Sequence, residues 1–435
     1  MTRHGPGPGL PANAPELGEV ATADGLVRWV AAPGRITIPL IYAPAVLFAA
    51  SVLLIKSVFS TDPEIDFKYL WTAGTAWNQG LNPYQDEFRA IGASLFPNAN
   101  VIKSWVYPPN WWPVTAGLAL LPHDVALAAW RTFGAACLVW SAWLIYGVIR
   151  TLRANIGFGA FIIVFAYLAL MQDTAITLAL GQTSLIVALG AALFISGVAR
   201  GANWRQILGL TILVLKPQLG FVVCAGFFMM PAFRRNILIA AVVTCIAAAP
   251  ALIIGGVGES LRGLMDGLRA YATFHENGPW EASGIRNPVH LLLGVEVSSF
   301  PLMAAAMAMA AGLGWRIASG PRAGETAARV EAMVYFILIS LAVTSLHTYD
   351  FVAAAAVFVI AFTTDRRPAL IATPLFLLAL FRAANVAQAT GIMHPGGVYF
   401  VGSLIVSAAA AAYLGVVMWA SRAGRAPIIA AGNVD

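Results

Sequence analysis

Apolar runs of about twenty residues recur along this chain from near residue 37 to near residue 420, and short arginine-bearing loops separate them. A helix needs about 20 apolar residues to cross a bilayer. Within hydrocarbon, every backbone amide must be satisfied inside a helix or a closed barrel. The pattern therefore admits a bundle of membrane-crossing helices and excludes soluble folds. Composition agrees: 59% of residues are hydrophobic and 11% charged, whereas soluble domains carry about 25% charged residues. The spans read as 37–59, 125–149, 156–173, 181–199, 236–256, 298–316, 331–346, 350–364, 368–386 and 398–420. The run 206–231 is either one span or a hairpin of two short ones, and 110–122 is too short to cross comfortably.

The arginines decide between these options. Arg150 and Arg153, Arg200 and Arg205, Arg234 and Arg235, Arg316 with Arg322 and Arg329, Arg366 and Arg367, and Arg422 with Arg425 mark cytoplasmic loops. With Arg28 and Arg35 also inside, the chain must return between each group. That holds when 110–122 lies in the interface and 206–231 turns at Lys216-Pro217, where proline removes an amide donor. The expected fold is an all-α polytopic membrane protein of about twelve segments with both termini cytoplasmic. Residues 1–35, rich in Pro, Gly and Ala, read as a mobile cytoplasmic tail, 36–420 as a single transmembrane domain, and 421–435 as a second cytoplasmic tail. The first span lacks a small-residue cleavage site, so it reads as a span and not a cleaved signal. The formal charge of +6 is thus an orientation signal, and no nucleic-acid partner is expected. Cys137, Cys224 and Cys245 all lie in apolar runs without metal-ligand spacing, which argues against a disulfide framework.

This topology sends the loops about 60–124 and 258–297, the turn at Gly181-Gln182, the turn at Lys216-Pro217-Gln218, and His347 to Asp350 to one extracytoplasmic face. The long first loop opens "STDPEIDFKYLW" and carries Phe67, Leu70, Trp71, Trp77 and Tyr84 at an interfacial spacing. Asp66, just beyond the first span, has three readings. It is a base that takes a proton from a hydroxyl, a cap on a solvated helix start, or one of an acidic trio with Asp62 and Glu64 around a divalent cation. "SWVYPPNWW", Ser104 to Trp112, brings the chain back as a proline-shaped aromatic element in which Trp105 and Tyr107 suit the headgroup region.

The strings "IDFKYLWTAGTAWNQGLNPY", "VYPP", "GQTSL" and "VLKPQLG", in that order and spacing, resemble glycosyltransferase family 87. The specific likeness runs from about Asp66 to Gly220; beyond it only hydropathy is similar. The family is polytopic, of GT-C type, and includes polyprenol-phosphate-mannose-dependent alpha-mannosyltransferases. The resemblance implies transfer of a sugar from a polyprenyl-phosphate donor to a hydroxyl of a glycolipid or polysaccharide acceptor, at the extracytoplasmic face of the cytoplasmic membrane. It assigns catalysis to Asp66, as general base in an inverting displacement.

A departing phosphate gathers charge, so a fixed cation beside it lowers the barrier. Lys216, lifted by Pro217, suits that place; its plainer reading is a lysine snorkelling to the interface. Gln182 and Gln218 would bind sugar hydroxyls or phosphate, or else are wetted helix ends. His347 and Asp350 in "SLHTYD" are spaced to share a helix face, so the pair would aim the imidazole at sugar or phosphate. In "FHENGPWEASGIRNPVH", Trp280 would stack on a sugar, Arg286 would meet phosphate and Asn287 would shape the acceptor side; loop polarity is the plainer account. Arg131 and Arg382 are further candidate cations inside spans. No cofactor is expected, and a divalent metal is permitted by the acidic trio but not favoured beside Lys216. Two alternatives stay open: an arabinofuranosyl donor, and a transporter or lipid flippase, which would place polar residues at the membrane midplane on paired broken helices.

Overall fold

A computed structural model describes residues 43–59, 64–97, 104–274, 282–381, 391 and 401–423. Helix α1 (Ala43–Val58) is followed by short elements: α2 (Ile65–Asn78), α3 (Glu87–Leu95), a 3-10 turn at Pro109–Trp111 and α4 (Trp112–Leu118). The long α5 (His123–Leu152) precedes a pair, α6 (Gly159–Leu170) and α7 (Gln172–Leu180), bent by 55° at Met171. Next come α8 (Ser184–Arg200), α9 (Asn203–Leu213), α10 (Pro217–Phe228) and α11 (Pro231–Gly255). Then follow α12 (Val257–Ala272), α13 (Arg286–Leu293), α14 (Ser299–Ala318) and α15 (Thr326–Val343). A 3-10 helix, Thr348–Ala356, runs into α16 (Val357–Thr363), and α17 (Arg367–Phe381) and α18 (Val401–Ala423) complete the order. The described residues contain no strand.

The protein is a multi-pass membrane protein. Among the described residues four helices, α5, α11, α14 and α15, are each long and apolar enough to cross a bilayer, and the bent pair α6–α7 adds a fifth. At the centre stand α8 and α15, largely apolar and buried almost throughout, beside the 348–363 segment. An all-round apolar helix has to be surrounded in this way. Outer helices show the opposite: on α11, Leu238, Val242, Ile246 and Ile253 turn away from the protein, Ile253 being 80% exposed. Such a surface would be a liability in water and is the normal face toward lipid.

Small residues bring the inner helices together, as expected where no water drives their association. A Cβ at Gly209 would lie 2.5 Å from the backbone nitrogen of Phe194, and one at Gly190 would lie 2.8 Å from Ile212. The run 206–231 is the hairpin expected from its proline. Gln206 and Ile212 on α9 meet Gly197 and Gly190 of α8 in antiparallel order. On α10, Lys216 meets Ser184 while Phe227 packs on Phe194 at 4.7 Å, so this arm runs alongside α8 in the same direction. The turn between the arms is Val214–Lys216.

The long first loop departs from its expected place. Phe67, Leu70, Trp77, Tyr84, Trp105 and Trp111 are all buried in the core and are not anchors laid on a membrane surface. Their rings pack on one another, Trp77 on Trp105 at 5.8 Å and Trp105 on Tyr107 at 4.9 Å. Burial of about 150–250 Å² per aromatic side chain explains the preference: the loop folds in against the helices and joins their core.

Candidate active site

The site grows from a turn. At the end of α7, Arg131 donates from Nε to the Leu178 carbonyl at 2.8 Å and from Nη2 to that of Ala179 at 2.6 Å. Trp130 donates from its indole to the Gly181 carbonyl at 2.9 Å. Carbonyls at a helix end run short of backbone donors, Leu178 having only the long bond from the Gly181 N–H at 3.3 Å, and a cation suits a helix C-terminus. Arg131 is therefore spent on the scaffold and is not a second cation for substrate. Gly181 takes φ +70°, and a Cβ there would stand 2.5 Å from Cβ of Phe67. Conformation and space both require glycine, and the contact presses the turn against the residue next to Asp66.

Gln182 follows, and it is buried. Its amide oxygen accepts from the Tyr107 hydroxyl at 3.3 Å and from the Thr183 backbone at 3.1 Å, and its side chain bonds the carboxylate of Asp66. Asp66 sits in the first turn of α2, behind Glu64 as cap, so it is not itself the cap. Glu64 turns instead to Lys68 at 3.0 Å. Withdrawal from water pushes the Asp66 pKa up to about 6, while the Gln182 bond and the charge of Lys216 oppose the rise. Tyr107 is held well above the usual phenol range, by burial first and then by the charge of Asp66, so it stays a neutral donor.

Lys216 is buried and paired. It forms a salt bridge with Asp350, donates to Ser184 Oγ at 2.9 Å and lies over the ring of Tyr349 at 4.7 Å. Ser184 in turn donates to Asp350 at 2.7 Å. The Val214–Lys216 turn is fixed from the aromatic loop, where the Trp111 indole donates to the Leu215 carbonyl at 3.0 Å. Lys216 is thus no lone lysine reaching for the interface. Asp350 also holds His347: its second oxygen accepts from the His347 backbone N–H at 3.3 Å and its own backbone N–H donates to the imidazole, closing the start of the 3-10 helix. Burial lowers the His347 pKa to about 4, with Asp350 opposing and Lys216 assisting, so the ring is neutral near pH 7.

Four helix starts meet here: α2 at Asp66, α8 at Ser184, α10 behind Lys216, and the 3-10 helix behind His347. Each start carries partial positive charge and spare N–H groups. Asp66 feels the charges of both Lys216 and Asp350 across the space between them. A carboxylate with a pKa near 6 therefore faces a region suited to an anion.

Other expected residues lie at the margin. Gln218, in the first turn of α10, has no hydrogen-bond partner for its side-chain oxygen, and its carbonyl accepts from Ser340 at 3.0 Å. Arg286 and Asn287 begin α13, on a segment tied to Leu346 through Ser283 at 2.7 Å. The charge that acts on Arg286 is that of Glu296. Trp105 underlies Tyr107. Trp280, Arg382 and Asp62 lie outside the described residues. Two members of the site had no separate signal in the sequence, Ser184 and Tyr349, although each sits inside a string already singled out, "GQTSL" and "SLHTYD".

Replacing Gly181 with alanine must move Phe67, and with it Asp66. Misplacing a reacting group by about 1 Å costs on the order of 10²-fold. The turnover number of the Gly181→Ala protein is expected to fall by about that factor with donor affinity little changed, as a steady-state comparison with wild type would show.

The model of glycosyltransferase family 87 matches residues 105–381. No curated protein and no solved structure matches the chain.

Proposed function

We infer the function from a premise now in hand: the chain belongs to glycosyltransferase family 87. It is a membrane glycosyltransferase, and that excludes a plain transporter or flippase role as its main activity. The finer reading is that it takes a sugar, mannose, from a polyprenyl-phosphate donor and places it on an acceptor hydroxyl. The fold is then of GT-C type, one transmembrane domain over 36–420, in the cytoplasmic membrane. Its site faces the extracytoplasmic side and both termini are cytoplasmic.

The observation that carries this reading is the coupling of the buried Asp66 carboxylate to the charge of Lys216, which is bonded to the starts of α8 and the 3-10 helix. In the reaction, Asp66 accepts the proton of the acceptor hydroxyl as that oxygen attacks the anomeric carbon. The bond from the anomeric carbon to the phosphate oxygen breaks on the opposite face, and the polyprenyl phosphate leaves with the electron pair. The product is inverted. Helix dipoles and Lys216 stabilise the charge that grows on the leaving phosphate. Asp350 and Ser184 hold Lys216 in place for this. Gln182 keeps the Asp66 carboxylate pointed at the hydroxyl, and neutral Tyr107 and His347 offer hydrogen bonds to sugar or acceptor.

A base must be ionised to work. With the Asp66 pKa raised to about 6, kcat/KM should be level above that pH and drop about tenfold per pH unit below it. The pH–rate profile of transfer from polyprenyl-phosphate-mannose reads this directly. An acid limb near pH 4 would mean that Asp66 titrates as an ordinary carboxyl, and a rate independent of pH down to about pH 3 would remove a carboxylate base.

A further inference from the structure

Three tyrosines from distant parts of the chain gather at the site: Tyr107 in the first loop, Tyr349 at the start of the 3-10 helix, and Tyr271 in the last turn of α12. Tyr107 and Tyr349 both feel the charge of Asp66. Tyr271 acts electrostatically on each of these two tyrosines, and on Tyr349 more strongly than Asp66 does.

The backbone of α12 leads to the same place. A Cβ at Gly263 would lie 2.5 Å from the Tyr84 carbonyl oxygen, and one at Gly267 would lie 3.0 Å from that of Trp105. This face of the helix therefore rests on the first loop. Residues four apart share a helix face, so Tyr271 continues the face one turn beyond Gly267. The loop continues likewise from Trp105 to Tyr107, whose rings pack at 4.9 Å. The Tyr271 ring is met by that of Phe274 at 5.8 Å, edge on, a geometry that aromatic pairs prefer.

The group lines a recess. Asp66, Tyr107, Tyr271, His347 and Tyr349 each keep part of their surface accessible, while Phe67, Trp105 and Asp350 next to them are buried. Lys216, over the ring of Tyr349 at 4.7 Å, marks the side suited to phosphate, and Asp66 marks the side of the attacking hydroxyl. A ring in transfer must lie between the two, because its anomeric carbon bonds the phosphate on one face and is attacked on the other. Tyr271 stands by Tyr107 on the Asp66 side and by Tyr349 on the Lys216 side. A tyrosine presents a flat apolar face and a neutral hydroxyl, which match the C–H face and the hydroxyls of a sugar.

We propose that Tyr271, propped by Phe274, is the side chain against which the transferred sugar ring rests, and so a determinant of which sugar-bearing donor is bound. This deepens the transferase reading given above and rests on it.

The test titrates full-length protein in detergent with polyprenyl-phosphate-mannose, polyprenyl-phosphate-glucose, polyprenyl-phosphate-arabinofuranose and bare polyprenyl phosphate. Wild type should prefer one sugar-bearing donor to the bare lipid phosphate by about tenfold or more, the scale of covering part of an aromatic face. Tyr271→Phe keeps the ring and should keep most of that preference. Tyr271→Leu keeps apolar bulk without the flat face; its preference should fall toward one, with bare polyprenyl phosphate bound as by wild type. The position is partly exposed and near a helix end, so both variants should fold. A preference unchanged in Tyr271→Leu overturns the proposal, and so does equal weakening of both ligands, which marks a structural role. If the preferred donor carries glucose or arabinofuranose, mannose is excluded, and loss of that preference in Tyr271→Leu still supports the proposal. A wild type that prefers no sugar-bearing donor overturns it, and its transfer activity, measured alongside, shows whether the transferase reading falls too.

Discussion

Asp66→Asn is expected to lose transfer by about 10²–10⁴-fold, the usual contribution of a positioned base, while the protein still binds donor. Asparagine keeps the shape and can still bond Gln182, but it cannot take a proton. The same change should not lower the melting temperature. A carboxyl whose folded pKa is raised from 3.8 to about 6 is less willing to ionise folded than unfolded. Its contribution to stability therefore falls as pH rises through that window. A neutral side chain removes this penalty at pH 7, so the variant should be at least as stable as wild type. Equilibrium binding of donor together with thermal unfolding separates loss of chemistry from loss of structure.

Lys216→Met should be damaging in a different way. It leaves Asp350, only 3% exposed, without its cation. Breaking a buried pair from one side typically costs about 3–5 kcal/mol, while replacing both partners with apolar groups is often neutral. The single variant is accordingly expected to melt well below wild type, and Lys216→Met/Asp350→Leu to recover most of that loss. Recovery of stability without recovery of transfer would separate the two roles of Lys216, the structural one with Asp350 and the electrostatic one toward the leaving group. Recovery of both would mean that the pair is only a strut, and would remove Lys216 from the reaction.

Much of the architecture was legible because the membrane imposes so strict a grammar. Arginines in short loops and a proline after Lys216 were enough to fold 206–231 back on itself. Asp66 was singled out from its place just beyond a span and from the resemblance of its "DF" pair; the family match itself covers 105–381, and the structure adds that Asp66 is buried against Gln182. What was not legible depends on distance along the chain. Lys216 and Asp350 stand 134 residues apart, and Ser184 and Asp350 stand 166 apart. No spacing rule links them, so the lysine read as a free cation, whereas the Asp350–His347 pairing, three residues apart, was legible and is present alongside it. The aromatic loop misled for another reason: aromatic side chains serve membrane interfaces and folded cores alike, and only their contacts with one another decide. Arg131, inside a span, read as a candidate ligand because the orphan carbonyls it satisfies appear only once α7 stops at Gly181. The span read as 350–364 starts instead as a 3-10 helix, Thr348–Ala356, and Tyr349 in its first turn lies beneath Lys216.

The most direct measurement is transfer of radiolabelled mannose from polyprenyl-phosphate-mannose in membranes containing wild type, Asp66→Asn, or no added protein, with and without EDTA. Transfer by wild type alone, insensitive to EDTA, is the result predicted here: it fixes donor and base together and shows that the chemistry runs on the carboxylate and the helix starts. Wild-type activity retained by Asp66→Asn would contradict the central claim.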